Sequence, residues 1–239
     1  MTALDGYISI YRTFPLRHFG SQSLKGRPFR LAKRIVKNNK LDQITFTDRL
    51  RISFKWAVDP VATFLVRLGV RANMLTVAGL LGITFAAYWL SQGKFTWGGL
   101  LFLLMTPLDA LDGPVARLRG EPQNFGAFVD SVIDRYSELV IYAGLLWYAQ
   151  KLDHPWLAMA VYFAAFGSVL VSYIRARAQS VGLEAKVGFL SRVERYFILG
   201  PALLFNVPFI GVTIIAIGAN LTALQRIFYV RQAAHKQKS

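Results

Sequence analysis

The sequence contains no cysteine, which excludes disulfides, Cys-ligated zinc, iron–sulfur clusters and thiol nucleophiles. Histidine is nearly as scarce, and His18, His154 and His235 are too scattered to offer a metal-ligand spacing. Acids are few, 13 Asp+Glu against 28 Lys+Arg, which leaves a formal net charge of +15. Charge of either sign is thin, 17% of 239 residues, where soluble domains carry about a quarter. Apolar residues are abundant instead, at 54%. That balance marks an all-α integral membrane protein and excludes disorder, collagen and a disulfide scaffold. No internal repeat, low-complexity run or soluble catalytic domain is visible.

The basic excess is concentrated at the start of the chain. Residues 1–55 hold 12 Lys/Arg against Asp5, Asp42 and Asp48. No apolar run follows the first basic residues, so the segment does not read as a signal peptide. A nucleic-acid-binding arm is one reading; a cytosolic basic segment beside anionic lipid is favoured, with no nucleic-acid partner. Residues 46–58 alternate apolar and basic positions at a helical period, which predicts an amphipathic helix lying in the membrane interface and broken near Asp59-Pro60. Three segments result: a basic cytosolic arm with its interfacial helix (1–59), a membrane domain (60–232) and a short basic tail (233–239).

Six transmembrane helices fit the membrane domain. Ala72 to Gly93 is uncharged for 22 residues, enough for one span. Phe95 to Leu108 runs apolar into Asp109, and Gly126 to Gln150 is helical in pattern with Asp130, Asp134, Arg135 and Glu138 in its first half. His154-Pro155 opens a fourth span that is uncharged to Ile174. Tyr196 to Gln225 is uncharged for 30 residues, too long for one upright span, and Asn206-Val-Pro208 divides it into a fifth and a sixth. The fifth then begins early, with Arg192 and Arg195 at its mouth. Outer loops would hold only Lys94 and Lys151, while the inner ones hold Arg117, Arg119, Arg175, Arg177, Lys186, Arg192 and Arg195. The positive-inside bias therefore predicts a multi-pass cell-membrane protein with both termini and the site in the cytoplasm.

This topology gathers charge at one depth. Asp109 and Asp112, spaced i,i+3, fall at the inner end of the second span. Asp130 and Asp134, spaced i,i+4, fall one and two turns into the third. Unneutralised carboxylates in low dielectric would repel and protonate, so arginines or a divalent metal must balance them. Oxygen ligands without His or Cys point to Mg²⁺ or Mn²⁺, with Ca²⁺ also open, and four acids exceed what one octahedral Mg²⁺ takes from protein, which points to two ions. Gly113, Ala116 and Gly126 would let a flat base or a diphosphate approach the backbone. Helix packing by small residues is the competing explanation.

Read together, the residues are Asp109-x2-Asp112-Gly113-x2-Ala116-Arg117-x8-Gly126-x3-Asp130-x3-Asp134, eight specified positions within 26. This resembles, without departure, the signature of the CDP-alcohol phosphotransferase family of integral membrane enzymes, over about residues 60–232. The resemblance implies six helices, usually in a homodimer, and transfer of a phosphatidyl or related group from a CDP-linked donor to an alcohol with release of CMP. It implies that Asp109, Asp112 and Asp130 bind two divalent ions and that Asp134 is the general base and touches metal. Gly113, Ala116, Arg117 and Gly126 would shape the cytidine-diphosphate pocket beside Asp112, with Asn73 and Thr76 reaching the donor phosphate.

The second half, Ser-Tyr-Ile-Arg175-Ala-Arg177-Ala, then Ser-Arg192-Val-Glu194-Arg195, then Thr-Ala-Leu-Gln-Arg226, is similar to the prokaryotic phosphatidylinositol-phosphate synthases within that family. Arg175 stands where those often have Lys. The resemblance assigns Arg175, Arg177, Arg192, Arg195 and Arg226 to the phosphate of a phosphorylated polyol acceptor, inositol phosphate first. Clustered arginines suit an anionic acceptor on physical grounds as well, although they would also serve to neutralise the acids or meet lipid headgroups. Glycerol 3-phosphate is the alternative acceptor, CDP-diacylglycerol the expected donor, and archaeal ether-lipid donors stay open. Glu138 is expected to pair with an arginine. A transporter is the distant alternative, since its pathway would also use buried acids.

Overall fold

The computed structural model describes residues 55–121 and 123–236, and every regular element among them is a helix. In chain order these are α1 (Lys55–Arg67), α2 (Ala72–Ser91), α3 (Phe95–Arg119), α4 (Gln123–Lys151), α5 (Pro155–Ser180), α6 (Arg192–Leu204) and α7 (Pro208–Lys236). Local sequence explains most boundaries. Gly120 ends α3 at φ +68, a left-handed position that costs glycine little. His154 caps α5, its Nδ1 accepting the Leu157 amide at 3.1 Å, and Pro155 follows at the first helical position. The expected division near Asn206 is present: α6 stops at Leu204, Asn206 takes φ +61, and Pro208 starts α7.

Of the interfacial helix expected over 46–58, residues 46–54 lie outside the described residues, as does the arm before them. The expected break at Asp59-Pro60 is absent. Instead α1 runs through Pro60 to Arg67. Tertiary packing overrides the proline here, because Ala62, Leu65 and Val66 beyond it seat on Leu108, Leu111 and Val115 of α3. Trp56 and Phe64 stay exposed on α1, as does Leu68 just after it.

The main core is made by α2 to α7. Phe102, Leu90, Leu145, Leu203 and Ile215 are almost fully buried within it. α5 lies along α7, α2 packs against both α3 and α4, and α6 touches α3 and α7. Glycines permit the closest crossings. A Cβ on Gly144 would strike the Ala87 backbone of α2, and one on Gly99 would come within 2.7 Å of the Leu203 Cβ of α6. Large apolar side chains such as Phe85, Trp97, Trp147, Phe166 and Ile217 project outward, as expected of surfaces that face lipid.

Among the described residues four helices, α2, α3, α5 and α7, are long and apolar enough to cross a membrane. Of the other three, α1 is only 13 residues long, and α4 and α6 differ for separate reasons. α4 carries four ionisable groups in its first half, and α6, at 13 residues, reaches about 20 Å against a hydrocarbon thickness of about 30 Å.

Candidate active site

The start of α2, the end of α3, the starts of α4 and α6, the end of α5 and the last third of α7 carry the polar groups singled out from sequence. Asp109, Asp112, Gly113, Ala116 and Arg117 all lie on one continuous helix, because α3 continues through Pro107 and Pro114 to Arg119. Thr76 Oγ1 lies 3.3 Å from Asp112 Oδ2, where it donates to the carboxylate, joining α2 to α3. Asp130 is half-buried on α4, and Asp134, one turn further on, is buried. Arg192 of α6 forms an ion pair with Asp134 Oδ2, and the neighbouring Arg135 lies 3.5 Å from the same oxygen. A narrow cleft lined by Thr76, Gly79, Met105, Ser137, Arg192 and Tyr196 runs between these groups. Asp112, through Thr76, and Asp134, through Arg192, are thus tied to one cleft.

The signature glycines are unlike the packing glycines of the core. A Cβ on Gly126 would meet nothing within 4 Å, and one on Gly113 would meet only Arg117 Nη1, at 3.6 Å. Helix packing therefore does not require either of them, and the space beside the carboxylates is open. Ala116 differs: it is half-buried and packs on the small cluster that joins α1 to α3, which makes it a wall residue. Arg117 and Asn73 are exposed.

The donor set fits a hard divalent cation in chemistry, with Asp112, Asp130 and Asp134 offering oxygen only and Asp109 one turn before Asp112 on α3. Among the described residues no three acidic side chains are gathered at ligating distance. Arg192 and Arg135 supply the positive charge at Asp134.

The arginines divide into two groups. Arg175 and Arg177 are exposed at the end of α5, Arg177 bonding Ser180 Oγ at 3.2 Å. Arg192 is part-exposed, with its Nε donating to the Tyr196 hydroxyl at 3.1 Å. Arg195 and Arg226, expected at the acceptor phosphate, are buried and held by protein partners. Arg195 donates to both Glu138 oxygens, at 2.6 and 2.9 Å, and to the Leu190 carbonyl at 3.2 Å. Arg226 donates to the carbonyls of Val187 and Val171, at 2.9 and 2.5 Å. The expectation that Glu138 pairs with an arginine holds. Sequence reasoning missed Tyr196, Ser137 and Gly79, whose types carry no signature; Gly79, three residues after Thr76 and open to more than 4 Å, was the legible one.

A family model described as CDP-alcohol phosphatidyltransferase matches residues 70–227. The phosphatidylinositol phosphate synthase of Streptomyces avermitilis is 36% identical over 197 residues, covering 76% of this chain and 81% of that protein. The archaetidylinositol phosphate synthase of Pyrococcus horikoshii is 33% identical over 186 residues, covering 77% of this chain and 96% of that one. The crystal structure of Mycobacterium tuberculosis phosphatidylinositol phosphate synthase with CDP-DAG bound matches at a TM-score of 0.67 and 30% identity, over 72% of this chain and 92% of that chain. The same enzyme in complex with manganese and citrate matches at a TM-score of 0.68 and 29% identity, over 72% and 88% of the two chains. With two thirds of its length under the family model and relatives at more than 30% identity, the chain belongs to the CDP-alcohol phosphatidyltransferase family.

Proposed function

We propose that this protein transfers a phosphatidyl group from CDP-diacylglycerol to a hydroxyl of inositol phosphate, releasing CMP. The observation that carries the reading is the open space at Gly113 and Gly126 beside the carboxylates of α3 and α4. It is what a bound cytidine diphosphate requires and what helix packing does not explain. The bacterial and archaeal relatives differ by name in the lipid they handle and agree on inositol phosphate, which supports that acceptor over glycerol 3-phosphate. The exposed guanidinium groups of Arg175 and Arg177 at the end of α5 suit an anionic acceptor.

In this mechanism the acceptor hydroxyl oxygen attacks the lipid-side phosphorus, the bond to the CMP oxygen breaks, and the hydroxyl proton passes to Asp134. Thr76 fixes the Asp112 carboxylate through its hydroxyl. Arg192 sits on the base, and an acceptor phosphate offers it a second partner, so that acceptor arrival would release Asp134 Oδ2 to take a proton. Arg175 and Arg177, exposed at the end of α5, would turn toward the same phosphate, while Arg195 and Arg226 hold the Leu190 and Val187 carbonyls of the 181–191 loop. Two ions of Mg²⁺ or Mn²⁺, held by Asp109, Asp112, Asp130 and Asp134, would neutralise charge on the diphosphate. The neighbour solved with manganese supports the metal class.

The proposal extends to topology. Six spans, α2 to α7, with α1 lying at the interface through Trp56 and Phe64, would place the site and both termini in the cytoplasm, as the Lys/Arg bias of the loops indicates. A homodimer is the assembly that the family resemblance implies. The deciding experiment measures CMP release from CDP-diacylglycerol in parallel with inositol phosphate, glycerol 3-phosphate, serine and free inositol. Turnover with inositol phosphate alone is expected. Turnover only with glycerol 3-phosphate would replace the acceptor, and no CMP release with any of them would remove the reading.

A further inference from the structure

Three arginines that the mechanism does not use meet at one turn. Arg67 ends α1, Arg71 immediately precedes α2, and Arg119 is the last residue of α3. The turn between the first two is tight: the Gly69 amide donates to the Val66 carbonyl and the Val70 amide to the Leu65 carbonyl, both at 3.0 Å, with Gly69 at φ +84. Arg119 reaches the same turn from α3, where its Nη2 lies 3.5 Å from the Val66 carbonyl. That bond is long, and the Gly69 amide already occupies its acceptor. The Arg119 Nε is buried with no protein partner. Among the described residues no carboxylate lies at ion-pairing distance from any of the three. The acids nearest in sequence are Glu121, two residues after Arg119, and Asp59, two turns before Arg67, so positive charge is in excess here.

A buried guanidinium nitrogen has lost its hydration and needs an acceptor in return. Its surroundings narrow what that acceptor is. Phe64, Leu68 and Leu118 flank the arginines along the chain, and all three are exposed. A small soluble anion gains nothing from such neighbours. Basic side chains set among exposed apolar ones match a lipid with an anionic headgroup and apolar chains, and the planar guanidinium suits its phosphate. Placement agrees, because α2 and α3, whose ends meet here, are both long and apolar enough to cross a membrane.

We propose that the α1–α2 turn and the end of α3 form a binding site for one anionic phospholipid. Arg67, Arg71 and Arg119 hold its phosphate, and its chains lie over Phe64, Leu68 and Leu118. This lipid is not a substrate. Since Arg71 stands only two residues before Asn73, the CDP-diacylglycerol donor is the rival occupant, and the test must separate the two.

The full-length protein in detergent micelles is titrated with phosphatidylglycerol or with phosphatidylcholine, no donor being present, and the thermal midpoint is read at each step. Native mass spectrometry counts the lipid retained. Wild type should hold one phosphatidylglycerol per chain and melt higher as it is added, with no such rise for phosphatidylcholine. Arg67→Gln/Arg71→Gln should melt as wild type without lipid and need about thirtyfold more phosphatidylglycerol for half the rise, roughly fivefold for each arginine. Arg119→Lys keeps the charge but removes the buried Nε, and should need about fivefold more. If that variant does not fold, the exposed double decides. Lys186→Gln/Arg231→Gln, which removes as much exposed charge elsewhere, should respond as wild type.

An equal response to both lipids, or an equal loss in the Lys186/Arg231 control, would show a diffuse field in place of a site and overturn the proposal. Displacement of the phosphatidylglycerol by CDP-diacylglycerol, with a donor KM raised by the same factor in the Arg67/Arg71 double, would give the site to the donor and overturn it as well. A donor KM near wild type in that double is the expected result.

Discussion

The two halves of the site hold their polar groups in opposite ways. On the side built by α2, α3 and the start of α4, Asp112 and Asp130 are half-buried beside glycines that no neighbouring helix packs against, whereas on the side built by α5, α6 and α7 Arg195 and Arg226 are sealed against Glu138 and three backbone carbonyls. Half-buried carboxylates beside open space remain within reach of an arriving ligand. Polar groups already satisfied by protein are matched to the scaffold, because an unpartnered buried charge would cost far more than it returns. Identity alone does not separate the two roles: five arginines look alike in sequence, and only their partners distinguish them.

The sharpest way to break this contrast is to remove what the open side is built to hold. Excess chelator should abolish CMP release, and Mg²⁺ or Mn²⁺ should restore it; undiminished turnover would remove the metal assignment. Asp134→Asn should lower turnover by about a hundredfold to ten-thousandfold, the range for a lost general base, while CDP-diacylglycerol binding is largely kept. A variant turning over near the wild-type rate would show that another group takes the proton.

Next in size are the arginines. Arg192→Gln should raise the acceptor KM about thirtyfold or more, the worth of roughly 2 kcal/mol in a charge-assisted contact, with little change in donor KM. Arg226→Gln should act mainly on the thermal midpoint, because it strips donors from the Val171 and Val187 carbonyls. If Arg226→Gln leaves stability intact and weakens only the acceptor, the sealed side is less committed than its geometry indicates.

The smallest effects come from paired glycine substitutions. Gly126→Ala should leave stability near wild type and weaken the donor, since the added methyl meets no protein atom but enters the open space. Gly144→Ala should cost about 1–3 kcal/mol of stability, because its methyl strikes the Ala87 backbone across the α2–α4 crossing. Thermal midpoints and donor KM values for the pair check this directly, and an exchange of the two outcomes would reverse the assignment of open and packed positions.

Much of this was legible in the chain itself. Scarce charge, long apolar runs and the Asn206-Val-Pro208 break set out the helices from Ala72 onward, the spacing of the acids set out shared helix faces, and the family resemblance carried by those residues implied the reaction class. These are local properties: helix breakers act through their own backbone, and i,i+3 and i,i+4 pairs share a face wherever the helix is placed. What lay beyond sequence was set by contacts distant along the chain. Pro60 promised a break, yet burial of Ala62, Leu65 and Val66 on α3 carried α1 through it. Gly113 and Gly126 were ambiguous between packing and ligand space, and only the structure, by showing no helix packed against them, removed packing as their explanation. The division among the arginines was decided only by tertiary structure, because Glu138 lies 57 residues from Arg195 and Val171 lies 55 residues from Arg226. A charge takes its role from the partner the fold brings to it, and no spacing rule reaches that far.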